Sequence, residues 1–337
     1  MLQQIFSGLQ EKVQEFSQYI QKCQTSELNN PAIKNPAFRL FKLIATVLKG
    51  AETELLPKND YADELLESAI QPFIIKNIQD ICLYLELFGS FPEFVVVFAV
   101  IIKMAARTCG LKLEELYNKI VSLILQIFGL SPQHNYQLLD TFGNFITCFQ
   151  RSEVQRNWLS ENLQNFNTSI LTFLSNHRDP DLLTKWIQIL TNIYEAYPEY
   201  LLNSPEIEQV FDFLLLTFSN SAEYDSLKNI SNFLNKLVEN KAVVLNEPLL
   251  KFVPKITNTI FFKLPDLNNI ALVSSIFKLI SDLIDHQATL QYSSRFPRWK
   301  GSSHWIIISQ SQHWTIQWTL WRAQSEPFFC HNSNLPE

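Results

Sequence analysis

The sequence predicts an all-α fold, a right-handed superhelix of short paired helices, and three observations predict it. Nearly every stretch from Leu2 to Asp285 spaces apolar residues three or four apart and then halts at a polar or proline break. Glycine is scarce, with 7 in 337 residues, so the phosphate-cradling loops of doubly wound α/β folds have little to be built from. A helix ending also recurs: Ile81 to Phe94 reads ICLYLELFGSFPEF and Ile187 to Tyr200 reads IQILTNIYEAYPEY. Apolar residues match at Ile81/Ile187, Leu87/Ile193, Phe88/Tyr194 and Phe91/Tyr197, and both copies finish aromatic-Pro-Glu-aromatic. Helix pairs repeated along a chain stack into an extended array whose usual work is binding long surfaces.

In chain order, the pattern predicts helices over 2–24, 37–50, 61–76, 78–89, 93–108, 112–128, 134–149, 153–175, 181–197, 206–219, 223–239, 248–262 and 268–285. Asn29 to Pro36 is the clearest early break, followed by Pro57 to Asp60. Gly110 and Gly129 stand where helices end and a left-handed residue is wanted. Leu138, Phe142, Phe145 and Phe149 form one apolar stripe, and Phe211, Leu214, Leu215 and Phe218 another. Ser152 with Gln155 reads as a capping box. Asp179-Pro180-Asp181 offers a cap, a proline set for the first turn and an acid against the helix dipole, and Ser204-Pro205-Glu206 does the same. Starts after Pro92, Pro132 and Pro180, and after Pro205 and Pro248, lie 40, 48 and 43 residues apart. That is the length of a HEAT or armadillo unit, and about six such pairs are expected. The 106-residue offset between the matching stretches is no clean multiple of it, so the array is expected to be irregular.

Hydrophobic content of 47% with 26 phenylalanines supports a continuous core. Phenylalanine at helical spacing reads as core rather than as a set of sites for Phe-Gly peptides, since each buried ring is worth roughly 1.5–3 kcal/mol. The net charge of −6 is uneven: residues 293–337 carry four basic and two acidic side chains, leaving −8 on residues 1–292. An acidic body repels a phosphate backbone, so no direct nucleic-acid binding is expected. The longest strongly apolar run, Phe94 to Ile102, stops at Lys103 and reads as a buried helix, with no membrane insertion expected. Cys23, Cys82, Cys109, Cys148 and Cys330 are odd in number and widely spaced, which fits free thiols in a reducing compartment. Glu11 and Lys12 interrupt any signal-peptide core.

The chain is expected to divide into a helical-repeat array over 1–290 and a tryptophan-rich tail over 291–337. Five of seven tryptophans fall between Trp299 and Trp321, and Trp314, Ile316, Trp318 and Leu320 alternate with polar residues at a strand-like period of two. The tail reads as an aromatic binding strand, a capping extension, or a read-through or frameshifted end. The abrupt change in residue usage favours the last, and poor order is expected there.

Motifs of catalysis and of metal or nucleotide binding are absent: H-E-x-x-H, G-x-S-x-G, C-x-x-C, the phosphate loop and G-x-G-x-x-G do not occur. No catalytic, cofactor-binding, metal or partner-binding residue is assigned, and no cofactor and no enzyme activity are expected. The densest polar cluster, His177 with Asp179 and Asp181, reads as a capped helix start. Glu114-Glu115, Asp63-Glu64, Glu93 and Glu199 read as first-turn acids. Arg151 and Arg156 are the nearest approach to an arginine patch, and two charges do not make one.

His177-Arg178-Asp179-Pro180-Asp181, the helix to Tyr197, then Pro198, Leu201-Leu202, Ser204, Phe211 and the Ser231 to Leu237 segment follow one another as an ordered set of caps, turns and helix faces. With Tyr84 to Phe91 ahead of a very apolar helix, this order resembles the C-terminal HEAT repeats of importin-β superfamily nuclear transport receptors, nearest to the importin-13 and transportin-3 branch. The likeness covers about Asp60 to Val238. It implies nucleocytoplasmic transport by a C-terminal part of a karyopherin, working in cytoplasm and nucleus. Cargo would bind on a concave, acidic inner surface formed by the second helix of each pair. It also implies that the GTPase Ran and Phe-Gly nucleoporins are reached only through a longer native chain. The alternative is a generic HEAT/armadillo scaffold in a cytosolic complex.

Overall fold

The computed structural model describes residues 2–23, 27–55, 66–128, 130, 132–239, 252–267 and 269–292. The chain divides into two units, Met1–Leu290 and Gln291–Glu337. Beyond Tyr292, the tryptophan-rich tail and the poor order expected of it lie outside the described residues. So do Pro57 to Asp60, Asp63, Glu64 and Gly129.

The described residues are all-α, with no strand among them. The helices are α1 (Leu2–Ile20), α2 (Pro31–Leu55), α3 (Gln71–Phe88), α4 (Pro92–Cys109), α5 (Tyr117–Ile127), α6 (Asn135–Cys148) and α7 (Glu153–His177). They continue with α8 (Pro180–Ala196), a short α9 (Pro198–Leu202), α10 (Ile207–Asn220), α11 (Tyr224–Glu239), α12 (Val253–Lys263) and α13 (Ile270–Tyr292). Neighbours pair in order: α1 with α2, α3 with α4, α5 with α6, α7 with α8, and α10 with α11. First members also touch in sequence, α1 to α3, α5, α7, α10 and α12, and second members do likewise, α2 to α4, α6, α8 and α11. Hydrogen bonds from Ser231 and Asn235 to Ser275 extend the second row to α13.

The second row is held by bonds one step apart. Thr141 reaches the Ala99 carbonyl 42 residues back, and Tyr194 the Leu237 carbonyl 43 residues on. Lys103 meets Asp140 at 37 residues, and Asn192 meets Thr147 at 45. The matching stretches found in the sequence therefore do not occupy equivalent places. The first ends α3, in the first row, and the second ends α8, in the second. Their 106-residue offset is about two and a half steps of 37–45, which carries one copy to the opposite row.

Packing explains the pairing. Both predicted stripes are buried throughout, from Leu138 to Phe149 and from Phe211 to Phe218, in one continuous apolar core. Phe88 stacks on Phe94 at 4.9 Å, which ties α3 to α4, and Phe145 stacks on Phe149 at 5.5 Å. Phenylalanines buried this way are not presented to an outside peptide. Second-row helices pack more closely on one another than first-row helices do. Gly143 contributes to this, because a Cβ there would stand 3.2 Å from Ile189 on α8.

Several boundaries differ from expectation. The break at Asn29–Pro36 is shorter: Asn30 Oδ1 accepts from the Ala32 N–H and α2 begins at Pro31, with Pro36 inside it. Helices expected over 61–76 and 78–89 run together as α3, led by a π-helical turn at Leu66–Ile70. Asn77, the apparent break, is buried and satisfies its amide on the Phe73 carbonyl one turn back. The helix expected from residue 112 starts as a 3-10 segment, Gly110–Leu116. Glu114 and Glu115 are exposed there.

Candidate partner-binding face

Asp179 caps α8 as its sequence foretells, accepting from the Leu182 N–H at 3.0 Å ahead of Pro180. Its neighbour His177 is exposed, stacked on Phe173 at 4.1 Å, and Arg178 occupies the left-handed region at φ 46°. The cluster is a helix junction, where His177 Nδ1 meets the Phe173 carbonyl and Asp179 Oδ1 the Leu182 N–H. Ser152 caps α7 by accepting from the Gln155 N–H at 3.2 Å, but Gln155 does not close the box. Its Nε2 donates to the Ile146 carbonyl, and its Oε1 faces the Tyr197 hydroxyl at 3.5 Å. Ser204, unlike Ser152, makes no cap. Its hydroxyl donates to the Leu201 carbonyl, ending α9, and α10 begins at Ile207 without a side-chain cap.

Glu206 is the residue whose role the sequence concealed. It is 2% exposed and accepts from Asn167 Nδ2 at 3.0 Å, while Asn167 Oδ1 accepts from Trp186 Nε1 at 3.1 Å. An acid after Ser-Pro reads as a first-turn residue, and only the fold turns it inward. This network joins α7, α8 and α10 inside the core.

The second row presents a different surface. Its solvent side carries Val96, Val100, Lys103 and Arg107 on α4, then Asp140, Asn144 and Thr147 on α6. On α8 it carries Lys185, Gln188, Asn192 and Glu195, and on α11 Asn229, Asn232, Lys236 and Glu239. Lys103 and Lys185, from the helices on either side, each reach Asp140 at 2.6 Å. Burial pushes the Asp140 pKa up, but hydrogen bonds from both lysines outweigh that and hold it below the ordinary value. Lys34 bridges to Glu93 at 2.5 Å, Lys236 to Glu195 at 3.3 Å, and Lys278 to Glu239. This solvent side is of mixed charge, with Lys103, Arg107, Lys185 and Lys236 beside Asp140, Glu195 and Glu239, where the sequence led us to expect an acidic one. The six second-row helices hold as many basic as acidic residues, and these bridges pair many of them across the steps.

Between α8, α11 and α13 lies an open groove of about 560 Å³, lined among others by Gln188, Asn192, Asn229, Asn232, Asn235 and Ser275. Three of the asparagines are held by their amide nitrogens. Asn192 donates to Thr147 Oγ1 at 3.1 Å, Asn229 to Thr184 Oγ1 at 3.2 Å, and Asn235 to Ser275 Oγ at 2.8 Å. The carbonyl ends of these side chains make no hydrogen bond within the described residues, and Asn235 Oδ1 is buried. Helical periodicity places polar residues on this face, but only the stacking brings α8, α11 and α13 side by side. No signal in the sequence marks the groove.

Among the described residues, no three His, Cys, Asp or Glu side chains converge on a metal-sized site. Cys23, Cys82, Cys109 and Cys148 are free thiols. Arg151 and Arg156 lie apart from the groove's lining. The stretch Pro92–Ile127 is long and apolar enough to cross a membrane, yet 67% of its most apolar window is buried. It also breaks at Gly110, where φ is 48°. No protein-family model matches the chain, and no curated protein does either.

Proposed function

We propose that the helical unit is a HEAT/armadillo-type superhelix that binds a partner protein on the solvent face of its second row and makes or breaks no bond. The observation that carries this reading is the repetition of one contact scheme at steps of 37 to 45 residues, from Lys103–Asp140 to Asn192–Thr147. An array whose second-row helices sit closer together bends toward that row, which puts this face on the inside of the bend. Such a face is long, polar from α6 to α11, and free of covering elements among the described residues. The test is partner capture by the full chain with Thr147→Arg and Gln188→Arg on the second row, against Leu216→Arg on the first. Loss with the former pair alone supports the reading, and loss with Leu216→Arg alone contradicts it.

Nucleocytoplasmic transport of a cargo protein, in cytoplasm and nucleus, is the narrower form that the likeness over 60–238 supports. It is tested by binding of the longer gene product to Ran loaded with GTP and to Phe-Gly nucleoporin segments. A generic cytosolic scaffold is the second reading. It is favoured by the fact that resembling positions such as Asp179 and Phe211 are caps and core, which any helical-repeat protein needs. A scaffold keeps its partner and ignores both probes.

A further inference from the structure

We infer that the groove over α8, α11 and α13 holds an extended polypeptide segment of the partner by its main chain. The inference rests on the protein-binding reading and names the chemistry of its ligand. Asn192 and Asn229 are each tied at Nδ2 to a threonine one step earlier, Thr147 and Thr184. Tying one end of a carboxamide fixes the direction of the other, so two acceptor oxygens stand pre-oriented on adjacent helices. Asn232, exposed beside them, spends neither its donor nor its acceptor within the described residues. Asn235 supplies an independent observation. The residue is 7% exposed, lines the groove, and its Oδ1 has no donor. A buried acceptor left unmet is costly, and a donor arriving with a ligand removes the deficit.

The chemistry favours a peptide backbone. Acceptors fixed in place call for N–H donors, and an extended chain offers them along one edge at regular spacing. The lysines at the rim, Lys236 and Lys278, are engaged by Glu195 and Glu239, so neither phosphate nor an acidic segment finds an uncommitted cation. A glycan would want an exposed aromatic platform, and among the described residues the one aromatic ring lining the groove, Phe233, is 1% exposed.

The experiment screens the full chain against an unbiased array of synthetic 12-residue peptides and remeasures the tightest binder in solution. Asn232→Ala is expected to weaken binding about tenfold with the melting temperature unchanged, and Asn229→Ala/Asn232→Ala to weaken it further, with the Asn229–Thr184 bond also lost. N-methylation of alternate backbone amides in the peptide is expected to do the same, and raised salt to do little. No binder in the array, binding indifferent to N-methylation, or binding to neutral oligosaccharides instead would overturn the groove proposal. Peptide binding abolished by Val96→Asp on α4 but untouched by the asparagine variants would overturn it too. That last result would leave the broader reading standing, because the second row would still be the binding face.

Discussion

Asp140 is the residue on which three second-row helices, α4, α6 and α8, meet. Two lysines from flanking helices hold its carboxylate, whose side chain is 19% exposed. Because its pKa is lowered on folding, the stability it adds is present above the unfolded carboxyl value of about 3.9 and is lost as pH falls through the folded value. Asp140→Asn is expected to cost about 1 kcal/mol near neutral pH, between the worth of an exposed pair and a buried one. Denaturant melts should show that difference closing below about pH 4. Arg178 is strained instead: φ 46° and ψ 48° place a side-chain-bearing residue at the left-handed end of α7. Arg178→Gly is expected to raise stability by about 0.5–1 kcal/mol, and an unchanged melt would contradict that geometry. Cys82 tests burial. Its thiol is fully buried and pushed up to about 11 by desolvation, with Lys119 opposing. Iodoacetamide at neutral pH should label the half-buried Cys23 first and reach Cys82 only on unfolding. The sequence shows Asp179 as a cap because cap chemistry is local. It does not show Asp140 or Glu206 as bridges, since their partners lie 37 to 45 residues away.

At the scale of elements, apolar periodicity identifies most helices because each buries one stripe against a neighbour. It fails where a residue meets its needs in an unforeseen way. Asn77 looks like a break and is accommodated on its own helix, while Ser204 looks like a cap and serves the preceding turn. The doubled aromatic-Pro-Glu-aromatic motif marks a helix junction, whichever row the helix belongs to. Gly143 sets how close α6 and α8 come. Gly143→Val is expected to wedge them apart and cost about 1–3 kcal/mol. Gly143→Ala should fall nearer neutral, since the helix propensity it gains opposes the contact with Ile189. Equal stability for the valine variant would mean that the two helices do not meet there.

For the whole molecule, the sequence makes the all-α class legible, since helix spacing and glycine scarcity are read without tertiary knowledge. The candidate face is not legible, because it exists only once every second helix is laid beside the next. Net acidity misleads for the same reason: it is a sum over the chain, whereas second-row lysines and acids sit opposite one another. The central claim is that a partner covers the second row. The most direct measurement is lysine footprinting of the full chain with and without its captured partner. Protection is expected at Lys103, Lys185, Lys236 and Lys278, with Lys76, Lys119 and Lys255 on the first row equally reactive in both states. Protection of the first-row lysines, with the second row left open, would contradict the account.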